Sequence, residues 1–263
     1  MGEVYGTQRR PRKRWGRRLL ITFIVLLIIV GGLLVALDRF AVSYAERRIS
    51  DEVTTQVADQ KATSEKPEVT IEGVPFLTQV ADGKYQEIKI QLANFAGPAG
   101  RGKTVRIPLL DVRATDVIAP LDTIRSGRGE IKAATVTGSG TIDYTQLTSL
   151  IGQPSLKIAE KDGKLVGSAP VQALGQTFNA SFTATLTVGN GVVQLRFTDV
   201  TADGLPNVPL VRSAINAYAR RLGVDLKVPT LPLKLTLQKV EPRPDGLHIT
   251  AGANDVALNS AGL

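Results

Sequence analysis

The chain has 263 residues, a formal net charge of +8 and no cysteine, which is length enough for one large domain or two small ones with a substantial core. The charge does not describe a nucleic-acid surface. Residues 1–18 carry seven basic side chains (Arg9, Arg10, Arg12, Lys13, Arg14, Arg17 and Arg18) against Glu3, a net of +6, which leaves the rest at +2 with both signs interspersed; no basic stripe remains for a duplex, and without cysteine there is no disulfide framework, lipoprotein anchor or thiolate metal site.

Directly after the basic tail, Leu19 to Leu37 reads LLITFIVLLIIVGGLLVAL, 19 residues without a charge. As a helix it spans about 28 Å, close to the hydrocarbon thickness of a bilayer. A cleaved signal peptide competes with this reading. The run exceeds the usual apolar core of about 7–15 residues and no clean A-x-A site follows, so an uncleaved signal-anchor is expected. The Lys/Arg bias puts residues 1–18 in the cytoplasm as a basic tail, Trp15 at the inner headgroups and residues 38–263 outside.

From Asp38 to about Ala62, Phe40, Tyr44, Ile49, Val53 and Val57 recur at steps of four or five, one stripe of a helix continuing out of the membrane. Residues 38–66 are thus an amphipathic helix and linker, ended by KATSEKP at Lys61–Pro67, and 67–263 form the exported domain. Period two then takes over. Val69 and Ile71 alternate with polar neighbours, as do Ile88, Ile90 and Leu92. Between them VPFLTQV interrupts the alternation; Pro75 suits a first helical turn and Gly83 a stop, so Pro75–Ala81 reads as a short helix joining two strands.

Val105, Ile107 and Leu109 share one parity while Leu110, Val112 and Ala114 share the other, which marks a bulge or a strand changing face. Asp143–Ile151 reads as a short helix. Lys161-Asp162-Gly163-Lys164 reads as a hairpin turn, and so does Gly189-Asn190-Gly191, between Phe178–Val188 and Val193–Phe197. Pro209–Leu222 has the spacing of a longer helix. Leu233–Leu237 and Leu247–Ala251 close the pattern as strands. The fold class is α+β: an N-terminal transmembrane helix, then one domain of long curved antiparallel strands with a few packed helices. With only 7 Phe, 5 Tyr and 1 Trp, the aliphatic sheet faces leave two outcomes open, a groove or a filled core.

Catalytic patterns are thin. GPAGRGKT at Gly97–Thr104 matches a phosphate-binding loop, but the alternating TVRIPLLDV that follows is a strand, and a true P-loop must open a helix. His248 is the only histidine and no G-x-S-x-G elbow exists. Asp111, Asp116, Asp122, Asp143, Asp199 and Asp203 are scattered and suit turns and caps. No cofactor, no metal and no enzymatic activity are expected.

VTIEGVPFLTQVADGKYQEIKIQL, Val69 to Leu92, resembles the signature of the actinobacterial LmeA-like phospholipid-binding family. Gly73, Pro75, Phe76, Leu77, Thr78, Gln79 and Gly83 fall on its motif, while Val74 stands where many members have an aromatic residue. The resemblance implies an envelope protein that binds phospholipid on the outer side of the cytoplasmic membrane. It also implies, by analogy, a tubular lipid-binding fold in which a curved sheet wraps a long helix, with Pro209–Leu222 as the candidate helix. The expected ligand is a phospholipid or another acyl-chain lipid, and the expected activity is non-catalytic lipid binding or transfer in support of envelope biogenesis. Ile88, Ile90, Leu92, Phe178, Phe182, Leu186, Leu195 and Phe197 are the candidate lining residues, with Phe76 and Leu77 at a mouth. An envelope scaffold with a packed sheet and no lipid is the alternative.

Overall fold

Nothing between Leu19 and Asp59 forces a helix to stop: the stretch has no proline, and its two adjacent glycines, Gly31 and Gly32, meet no atom that a side chain would hit. The computed structural model describes residues 15–98, 102–126, 128–153, 155–173, 176–189, 192–202, 223–227 and 235–258, together with Ser213, Ala217 and Ala219. In it α1 runs unbroken from Trp15 to Asp59, 45 residues and about 68 Å. It ends where Lys61 adopts the left-handed region (φ 58°), with the Lys61 and Ala62 amides donating back to the Ala58 and Val57 carbonyls. The apolar part of α1 is bare of protein contacts and is long and apolar enough to cross a membrane.

Among the described residues eleven strands follow in two antiparallel sheets, which bears out the α+β class. The first sheet has the order β1-β2-β3-β4-β11-β10, from β1 (Glu68–Glu72), β2 (Lys84–Pro98), β3 (Thr104–Ile118), β4 (Lys132–Ile142), β10 (Thr236–Arg243) and β11 (Gly246–Ala257). The second has the order β5-β6-β7-β8-β9, from β5 (Lys157–Lys161), β6 (Lys164–Ala173), β7 (Gln176–Gly189), β8 (Val192–Ala202) and β9 (Val224–Lys227). Short helices punctuate them, among the described residues α2 (Phe76–Asp82), α3 (Leu121–Ser126) and α4 (Tyr144–Ile151). The β5–β6 turn has positive φ at both Asp162 and Gly163, as a two-residue hairpin of that sequence requires. Asn190 and Gly191 of the other expected turn lie outside the described residues, but Gly189 pairs with Val192 on either side of them.

The parity switch expected in β3 is a change of face and not a bulge. Asn94 (φ 52°) on β2, Asp116 (50°) on β3 and Asp255 (51°) on β11 are left-handed residues inside strands whose register runs on unshifted. Asn94 lies between the pairs Ala93–Leu109 and Phe95–Ile107, where the sequence changes parity. Across the second such row, Ala114 and Val117 on β3 are both buried, as are Ala133 and Val136 on β4. Strict alternation would never bury two residues three apart, so the sheet turns its inner face along this row.

The apolar side chains gather in two clusters. One lies between α1, α2 and the first sheet, built on Ile71, Phe76, Tyr85, Val117, Ala133, Val136 and Val256. The other joins the second sheet to α4 and β11 through Leu147, Leu156, Phe182, Leu195, Phe197 and Leu247. The α1 stripe matches the expected one at Ile49, Val53 and Val57, which are half-buried, and departs from it at Phe40 and Tyr44. Ala41, Val42, Ala45 and Ile49 pack on the sheet, whereas Phe40 and Tyr44 are exposed; small side chains let the helix axis come close, and the aromatic rings are turned away. The helix laid against the first sheet is therefore α1. The helix expected at Pro209–Leu222 lies outside the described residues except for Ser213, Ala217 and Ala219, which are helical, with Ala219 buried in the second cluster.

Candidate functional site

The family-like motif sits where α1, β1, α2 and β2 meet. Gly73 follows β1 with φ 99°, and a Cβ there would lie 2.8 Å from the Gln79 Nε2 and 2.9 Å from the Gln86 Oε1. That space is occupied by a bridge. Gln79, almost completely buried, donates through Nε2 to the Glu72 and Gly73 carbonyls at 3.2 and 3.0 Å, and its Oε1 accepts from the Gln86 amide at 3.0 Å. One amide side chain thus joins the end of β1 to the start of β2. Pro75 occupies the N-cap of α2, where no amide hydrogen is needed, and the Thr78 hydroxyl donates to the Pro75 carbonyl at 2.8 Å. Gly83 closes α2 in the left-handed region (φ 65°).

Phe76 and Leu77 part at this point. Phe76 turns inward, 6% exposed, with its ring 6.1 Å from that of Tyr85, a distance at which tilted aromatic pairs attract. Burial pushes the Tyr85 phenol above its ordinary pKa. Leu77 points outward, 39% exposed, and neighbouring Val74 is 69% exposed. The Leu77 amide donates to Asp38 Oδ1 at 2.8 Å, so the first charged residue after the uncharged run ties α1 to α2. Two further bonds continue along α1: the Ile71 amide donates to Glu46 Oε1 at 3.0 Å, and the Ser50 hydroxyl donates to the Pro67 carbonyl at 2.6 Å. Asp38 and Ser50 are both buried. Sequence reasoning missed this latch because its partners stand 17 to 39 residues apart; a lone carboxylate at the last turn of an uncharged span was the only signal.

Of the candidate lining residues, Ile88 joins the first cluster and Phe182, Leu186, Leu195 and Phe197 the second, while Ile90, Leu92 and Phe178 belong to neither. Ile88, Ile90 and Leu92 lie on β2, with Leu92 buried, Ile88 and Ile90 half-buried, and Ile88 packed against the cluster that holds Phe76. Phe182, Leu195 and Phe197 are buried together in the other cluster, Phe182 and Phe197 edge to face at 6.3 Å, with Leu186 packed on them. Phe178 is half-buried on β7. An open concavity of about 820 Å³ lies between α4 and β5. Its walls mix hydroxyl and amide groups (Thr145, Thr148, Ser149 and Gln153 among them) with apolar surface that includes Leu156 and Ile158, and none of the candidate residues lines it.

No catalytic arrangement emerges among the described residues. His248 is half-buried on β11 with Nδ1 3.3 Å from the Thr141 hydroxyl, and no group of three or more His, Asp or Glu is poised for a metal ion. Asp111 pairs with Arg113 at 2.8 Å on the sheet surface. Asp143 caps α4, accepting from the Gln146 amide at 2.8 Å; its bonds from Thr145 and Gln146 hold its pKa below the usual carboxylate value. A strand follows Thr104, and Lys103, where a P-loop would put its phosphate-binding lysine, donates instead to the Leu150 carbonyl at the end of α4, at 2.6 Å.

At the end of the first sheet next to the apolar run, α2 and α3 are neighbours. The Ala119 amide donates to the Gly83 carbonyl at 2.9 Å, and Pro120 lies 3.0 Å from where a Gly83 Cβ would stand. Around this joint Val74, Leu77, Ile118, Leu121 and Ile124 are exposed.

No solved structure and no curated protein matches the chain. The family model described as LmeA-like phospholipid-binding matches residues 36–252, from the end of the uncharged run to β11 and so over both sheets. The chain belongs to the LmeA-like phospholipid-binding family.

Proposed function

We propose that this protein is a single-pass membrane protein, its basic tail cytoplasmic, whose exported domain binds a phospholipid and passes it between membrane and envelope without catalysis. The observation that carries the reading is the unbroken α1. One helix is an uncharged run long enough for a bilayer in its first half and a wall of a phospholipid-binding fold in its second. A lipid taken up by a domain so tethered need not cross water far from its source. The half-buried apolar positions offered to acyl chains are Ile88 and Ile90 on the first sheet, with Leu92 and Phe76 packed nearby, and Phe178 and Leu186 on the second, with Phe182, Leu195 and Phe197 packed there. Each buried methylene contributes about 0.8 kcal/mol, so affinity needs no dedicated polar motif.

The test is phospholipid transfer between donor and acceptor vesicles, with the full-length protein reconstituted in the donors. Acceleration over protein-free vesicles, reduced several-fold by Ile90→Asp, is expected; transfer no faster than the protein-free rate would sink the reading. The complete burial of Phe182 and Leu195 favours a second reading, an envelope scaffold with a filled core, and absence of transfer by a folded protein would select it.

A further inference from the structure

We propose that the domain has a second membrane contact, in which α2 and α3 rest on the outer leaflet of the bilayer that α1 crosses and Leu77, Leu121 and Ile124 reach past the headgroups. The inference rests on the reading of Leu19–Leu37 as a transmembrane span.

The height of this face follows from one bond. Leu37 is the last residue of the uncharged run, and Asp38, next along the same helix, holds the Leu77 amide at 2.8 Å. The start of α2 is thereby fixed at the level where the span leaves the hydrocarbon. Through Gly83 and Ala119, α3 is fixed beside it. The strands then lead away: Lys84 of β2 pairs with Ile118 of β3 at this end, while Pro98 and Thr104 pair at the other. Ala96 near that far end pairs with Thr63, beyond the end of α1, so helix and strands run the same way from the bilayer.

The composition of this end suits lipid and not water. Leu121 and Ile124, three apart and hence on one face of α3, are 42% and 49% exposed, and no residue of α3 is buried. Among the described residues beyond α1, the exposed large apolar side chains are Val74, Leu77, Ile118, Leu121 and Ile124, all at this end, and Leu109. On α1 itself Phe40 is exposed one turn from the span. It stands about 37 Å along the helix from Trp15, close to the separation of the two interfacial aromatic belts. Clusters of this kind on a soluble surface mark a contact, and α1 supplies the occupant. The charges in and beside α2 and α3 are mixed in sign, Asp82 with Lys84 and Asp122 with Arg125, so the contact rests on apolar insertion and anionic lipid is not required.

The absence of native cysteine allows a direct test with the full-length chain in phosphatidylcholine vesicles. Single-cysteine variants Leu77→Cys, Ile124→Cys and Thr104→Cys carry an environment-sensitive fluorophore, and the vesicles carry nitroxide lipids labelled near the headgroup. The expected result is quenching at positions 77 and 124 several-fold stronger than at 104, unchanged in high salt and on adding phosphatidylglycerol. Quenching at 124 no stronger than at 104 overturns the proposal. Adding Leu121→Asp with Ile124→Asp, both at exposed sites, is expected to cut quenching at 77 while bound phospholipid is retained; undiminished quenching at 77 also counts against the proposal. Strong quenching at both sites in a chain that carries no lipid supports the contact and removes the proposed function.

Discussion

Asp38 ends the uncharged run and begins the domain with the same carboxylate. It is buried and accepts from the Leu77 amide, so removing it strands a partly buried donor. Asp38→Ala is expected to lower stability by about 1–3 kcal/mol, read as a shift in the denaturation midpoint of the protein in detergent. Gln79 carries more, since three bonds converge on it. Gln79→Ala is expected to cost at least as much as Asp38→Ala, and a cost below about 0.5 kcal/mol would show that the β1–β2 joint does not depend on it. The short motif was legible as a string, and its helix was legible from Pro75 and Gly83. What its residues touch was not. Gln79 reads as an ordinary polar residue until Gly73 and Gln86 are brought around it.

Elements were most legible where local chemistry decides them. The Asp162-Gly163 turn, the α2 stop at Gly83 and the α4 start at Asp143 all follow from which residues tolerate positive φ or cap a helix. The phase of α1 against the sheet was not legible, because Phe40 and Tyr44 look like better core residues than Ala41 and Ala45, yet close approach selects the small ones. Ala45→Leu is accordingly expected to destabilise by about 1–3 kcal/mol through overpacking, measured by thermal unfolding. Asp143→Ala is expected to cost about 1 kcal/mol. The folded carboxyl has a lowered pKa, so its contribution is full above the ordinary carboxylate value of about 4 and fades as pH falls through the lowered one. The stability gap between wild type and Asp143→Ala should therefore close in strong acid; a gap that persists there would contradict the cap.

At the scale of the whole molecule, alternation showed which residues face inward but not which sheet or cluster they join. Phe76 with Ile88 and Phe182 with Leu195 belong to separate cores, a division set by the order of the strands. The division gives each core its own test: Phe182→Ala should cost about 3–5 kcal/mol while leaving the Asp38–Leu77 latch intact, seen as unchanged protease resistance at the α1–α2 junction. The strands and the second half of α1 run together away from the apolar span; with that span in a bilayer, as proposed, the fold stands on the membrane it would draw from. The most direct measurement is native mass spectrometry of the full-length protein released from phospholipid nanodiscs. The account predicts a discrete population carrying phospholipid that survives detergent removal and is depleted by Ile90→Asp. A folded protein that emerges free of lipid, and stays free after incubation with phospholipid vesicles, would contradict it.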